Sequence, residues 1–137
     1  MEIDHQTFVR TWLDATASGA TTDRLLRLFE SAFGALWLRA HVTIGDVTLA
    51  AITDRVLLDA AERHPLLTNV TVGDSGLRFD VLPENMRTAA AADVYAAMEA
   101  VLVGFLSVLG NLTAEILSPG LHSALTNVGP PGEDASS

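Results

Sequence analysis

Four histidines, His5, His41, His64 and His122, carry the side chains of this chain that titrate near neutrality. That property suits a general base, a proton carrier or a phosphoacceptor. No two of them stand four residues apart, the spacing that sets two imidazoles on one helical face, so no metal centre is expected. His64 precedes Pro65 at the end of a predicted helix, where the helix dipole favours a cation. His122 is the strongest candidate for chemistry, on the flank of the stripe Leu121, Leu125 and Val128 and close to Ser123 and Thr126. The carboxylates make no clear pair. Asp54 and Asp59 fall on different sides of a helix, and Asp59 and Glu62 share a face beside Arg63. Glu99 and Glu115 sit in apolar surroundings of the kind that raises a carboxyl pKa for acid–base work, but each can turn to its helix's one wet edge. Ser31, Ser107, Ser118 and Ser123 lack a nucleophile elbow, and cysteine is absent. There is no phosphate-binding loop, dinucleotide fingerprint or calcium loop. The chain therefore reads as non-enzymatic, without catalytic residues, metal or cofactor.

The segment Leu121-His122-Ser123-Ala124-Leu125-Thr126-Asn127 resembles the dimerisation boxes of histidine kinases. It departs from them in lacking the acid directly after the histidine and the Arg-Thr-Pro that follows in the common form. No ATP-binding glycine boxes accompany it. What the resemblance implies is His122 as a phosphoacceptor, displayed on a helix of a dimeric bundle.

The elements that would position these residues can be read from periodicity. Asp4 caps a first helix with Phe8 and Trp12 inward, ended by Gly19. Thr21 or Thr22 caps a second, with Leu25, Phe29, Ala32 and Leu36 in one stripe and Leu26, Phe33 and Trp37 beside it. From Leu36 to Ile44 the pattern fits either helix or a short strand. After Gly45-Asp46 a third helix runs from about Val47 to Arg63, with Leu49, Ile52, Val56 and Ala60 inward and Asp59 set to pair with Arg63. Val70 and Val72 face Leu77, Phe79 and Val81 across Gly73-Asp74-Ser75-Gly76, a predicted β-hairpin. A long helix is predicted from Glu84 or Asn85 to Leu117, then a short one opened by Ser118-Pro119. Residues 1–129 thus form one domain, and 130–137 an acidic flexible tail.

In the long helix, Tyr95, Met98, Leu102, Phe105, Leu109, Leu112 and Ile116 recur at steps of three and four, a heptad seam. Ala92, Ala96, Ala100 and Gly104 form a line of small residues along which another backbone can come close. Val94, Val101 and Val108 fill a third line. A helix apolar on every side must be buried on every side. Either the other helices of the chain surround it, or the seam packs on a second copy across a two-fold axis; a homodimer through the seam is the favoured expectation.

Composition narrows the partners. The 137 residues are 49% hydrophobic, with 17 acids against 8 bases and a net charge of −9, and all the bases are arginine. Such a chain would repel nucleic acid and anionic membrane surfaces. All eight arginines fall within residues 1–87, and Asp93, Glu99, Glu115, Glu133 and Asp134 stand beyond them with no base. The acidic N-terminus has no apolar core typical of a secretory signal. The fifteen uncharged residues between Glu99 and Glu115 fall short of the ~20 that cross a bilayer. The expected architecture is α+β, mainly helical: about five helices packed with one β-hairpin, the long apolar C-terminal helix central to the core or to a dimer interface. The expected function is that of a cytoplasmic, dimerising protein-interaction module in bacterial signalling or regulation, given the Ala- and Arg-rich, lysine-free composition. A secretion-type chaperone binding a partner protein, or a phosphotransfer protein using His122, are the alternatives. A ligand cavity lined by Phe29, Phe33 and Trp37 would make it a small-molecule sensor.

Overall fold

The computed structural model of the chain describes residues 5–17, 19–68, 70, 72–73, 76–77, 88–114 and 116–128. Among them are five α-helices: α1 (His5–Ala17), α2 (Thr22–Ile44), α3 (Asp46–Ala61), α4 (Ala91–Leu112) and α5 (Ser118–Thr126). A single 3₁₀ turn, Pro65–Leu67, follows α3. The predicted cap Asp4, the helix start at Glu84 or Asn85 and the tail 130–137 lie outside the described residues.

Each helix begins and ends for a local reason. Thr21 is extended, and its hydroxyl accepts a hydrogen bond from the Arg24 N–H at 3.3 Å, meeting one of the orphan donors of α2. The helix continues through Ile44, which resolves the open stretch 36–44: Leu36, Trp37 and Ala40 are buried while Leu38 and Val42 are exposed, a helical pattern and not alternation. Gly45 divides α2 from α3 at φ 92°, a backbone region that side chains rarely adopt. Its N–H reaches back to the His41 carbonyl at 2.9 Å, and its own carbonyl accepts from Leu49 at 3.0 Å. His41 Nδ1 and Asp46 Oδ1 meet across this corner at 3.5 Å. In α3 the carboxylate of Asp59 faces Arg55 at 3.7 Å and not Arg63, because the helix ends at Ala61.

The fold is all-α, which corrects the α+β expectation. Of the predicted hairpin, the described residues show two antiparallel pairs, Val72 with Leu77 and Gly73 with Gly76. That is a turn and not a β layer. Two of the four paired residues are glycines, which contribute no packing side chain and weaken a strand. Val70, expected on the first strand, is instead buried behind the 3₁₀ turn, its N–H on the Leu67 carbonyl at 3.1 Å. Phe79 and Val81 lie outside the described residues.

The core is built between helices. Phe33 packs at 4.7 Å between ring centroids on Phe105, and at 6.5 Å on both Phe29 and Trp37. These rings, considered above as the lining of a sensor's cavity, are buried against one another in the core. The central element is α4, which touches α1, α2, α3 and α5, and every residue from Val94 to Gly110 is buried or half-buried. Its small-residue line allows one close approach: a Cβ at Gly104 would stand 3.0 Å from Val56 Cγ1 of α3. By length and composition α4 could also cross a bilayer, with a mean hydropathy of 1.7. The four helices packed around it account for the same composition. It starts at Ala91, after an extended Ala90, and stops at Leu112, short of the predicted Leu117. There the Thr113 hydroxyl bonds back to the Leu109 carbonyl at 2.8 Å, and Ala114 takes φ 51°.

Candidate functional site

The seam residues have divided fates. Met98, Leu102, Phe105 and Leu109 are fully buried within the chain's own core. Tyr95 is half-buried and donates its hydroxyl to Asp14 of α1. Leu112 and Ile116, past or at the helix end, are 61% and 80% exposed. The middle of the seam is therefore occupied by α1, α2, α3 and α5, and only its end reaches the surface.

His122 sits on α5, half-buried. Its Nε2 lies 2.9 Å from Nδ1 of the buried His5, and its ring stacks on Phe8 at 3.9 Å between centroids. One imidazole must donate and the other accept, so the pair shares a proton and joins α5 to the start of α1. Nε2 is thus engaged and one face of the ring is covered, while the residue stays half-buried. His41 is held by Asp46, and His64 lines a cleft described next. Among the described residues no cluster of three or more His, Asp or Glu could hold a metal ion.

Two depressions are formed by the described residues. The first, about 360 Å³, lies between α1, the end of α3 and the small-residue line of α4, where Ala96, Ala100 and Gly104 form its floor. Its polar groups include Arg10, Glu99, Arg63 and His64. Arg10 donates through Nε (3.1 Å) and Nη2 (3.0 Å) to the same Glu99 oxygen. Glu99, 16% exposed against 59% for Arg10, is thereby a structural partner tying α1 to α4. Beside it Tyr95 has its phenol pushed up to about 12. Partial burial is the main cause, reinforced by the hydrogen bond to Asp14 and the charges of Asp14 and Glu99, with Arg10 opposing. These contacts are satisfied within the chain. Glu115, the other carboxylate considered for acid–base work, lies outside the described residues.

The second depression is an apolar groove of about 530 Å³ between α2 and α5. Ala35, Leu38, Arg39, Val42 and Thr43 supply one wall, Leu117 and Ala124 the other. Leu38 and Val42, one helical turn apart, are 67% and 79% exposed. Ile116, next to Leu117, adds a further exposed apolar side chain. Periodicity contained a signal for this site. Once residues 36–44 are taken as helix, Leu38 and Val42 fall on the face opposite Leu36 and Ala40, where polar residues belong in a helix with one covered side. With strand left open for that stretch, the signal was lost.

Comparison with protein-family models, curated proteins and solved structures gives no match for this chain.

Proposed function

We propose that this protein is a non-enzymatic interaction module whose docking surface is the α2–α5 groove. The observation that carries the reading is the pair of large apolar side chains left in water on the groove's α2 wall, Leu38 and Val42, with Leu117 and Ala124 on the other wall. Contiguous exposed apolar surface beside a groove marks an interaction site, whereas isolated exposed leucines do not. The reading keeps the expectation of a protein-binding module and moves its surface. Association, with another protein or with a second copy, runs through the groove, because Met98, Leu102, Phe105 and Leu109 are spent inside the chain. A secretion-type chaperone would call for a sheet of several strands, and the described residues supply none.

The test is affinity capture from the native cell with the full chain and with Val42→Glu as bait. Val42 is exposed, so the variant should keep its helical circular dichroism and its melting temperature while losing a partner that the parent retains. An identical set of captured proteins from both baits would refute the assignment of the groove.

A further inference from the structure

We propose that the groove receives an amphipathic helix of another protein, with a carboxylate on its apolar face seated against Arg39. This inference rests on the groove being the docking surface. It commits to the occupant from the charge and the shape of that surface. Ala35, Leu38 and Val42 form a single stripe of α2 that extends over about two turns, roughly 10 Å at 1.5 Å per residue, the length of contact a short helix makes when laid in a groove.

Among the described residues, Arg39 is the one charged side chain lining this groove. It is exposed, and it has no ion pair among the described residues. Its guanidinium lies over the first turn of α5: Nε and Nη2 stand 2.8 and 2.9 Å from where a Cβ at Gly120 would be. Only a glycine leaves room for it there. That turn has no acidic residue, and Leu117 before it provides no side-chain cap. A cation at a helix N-terminus adds to the positive end of the dipole, so the two raise the potential where the first turn of α5 meets Arg39. Among the described residues no carboxylate meets this local positive spot, which suits one carried by a partner.

The same charge argues against a second copy. A two-fold contact of groove on groove brings together two molecules of net charge −9, and no carboxylate among the lining residues would meet either Arg39. A partner helix with apolar residues at i, i+3 or i+4 and i+7, and Asp or Glu among them, meets both the walls and the arginine.

The experiment selects a phage-displayed library of helical peptides, randomised on one face, against the full chain. It then measures the enriched peptides on Arg39→Glu, Arg39→Lys and Val42→Glu, each checked for unchanged circular dichroism. The expected result is enrichment of peptides with that apolar spacing and an acid on the same face. Their affinity should fall by about tenfold or more for Arg39→Glu, fall less for Arg39→Lys, and be abolished by Val42→Glu. Peptides that lack an acid, or that bind Arg39→Glu as well as the parent while failing on Val42→Glu, overturn the carboxylate and leave the groove standing. Peptides indifferent to Val42→Glu, or no enrichment at all, overturn both. A concentration-dependent dimer in sedimentation that Val42→Glu dissociates assigns the groove to a second copy and likewise overturns the inference.

Discussion

Tyr95 stands where two carboxylates and an arginine converge between α1 and α4, and its phenol responds to all three. The acid form is favoured because the ring is partly buried, because Asp14 accepts its proton in a hydrogen bond, and because the charges on Asp14 and Glu99 oppose a phenolate. With the folded value raised from 10.0 to about 12, the folded state binds the proton more tightly than the unfolded chain does. The stability this adds is complete below pH 10.0 and is lost as pH rises toward about 12. The protein is suited to a direct measurement: Tyr95 is the sole tyrosine, and there is neither lysine nor cysteine to titrate in the same range. Near-ultraviolet absorbance of tyrosinate should show a midpoint near 12, moved down in Asp14→Asn, and Tyr95→Phe should flatten the alkaline loss of stability in urea. A midpoint at the ordinary value would remove the contact with Asp14 from the solution structure. From the sequence, Tyr95 was legible as a seam position but not as a hydrogen-bond donor. Its partner is eighty-one residues away, a distance no local pattern spans.

At the scale of elements, Gly45 shows how much a single backbone position can carry. It closes α2 and opens α3 with no turn residues between them, which φ 92° alone makes possible. Gly45→Ala places a Cβ in a region that side chains avoid. Space around the position is open, so the penalty is conformational and not a clash. It should cost about 1–3 kcal/mol, read from the urea midpoint at unchanged m-value. A cost near zero would mean that the corner relaxes and the helices can meet at another angle. The break itself was readable in Gly45-Asp46. So was the inward set of α3, since Leu49, Ile52, Val56 and Ala60 are all buried. The turn and the pairing of Val72 with Leu77 were readable, but not that they belong to an all-α fold. Alternation describes a strand only if a sheet exists to receive it; here Val70 finds its burial against helices.

Over the whole molecule, the decisive fact is that one helix is surrounded by four others. The seam expected to mediate a dimer has its centre in that core, so a charge or a cavity there acts on folding. Leu109, fully buried, should cost about 2–5 kcal/mol when cut to alanine, with the loss in thermal stability independent of protein concentration. A concentration-dependent loss would instead place Leu109 between copies. The association surface proposed above lies elsewhere, on the outer face of α2, and its substitutions should spare stability and alter binding.

The amino-acid sequence by itself determined the helices, most of their inward faces, the glycine corner and the surplus of acid, because each depends on spacing or composition within a short stretch of chain. It also determined that most of α4 must be covered. What covers it was a matter for the tertiary structure alone. A stripe of leucines is equally content against a neighbour in the same chain or in another, since burial rewards apolar area without regard to whose it is. The folded arrangement assigned Met98, Leu102, Phe105 and Leu109 to the interior, and left Leu38 and Val42 in water beside Arg39.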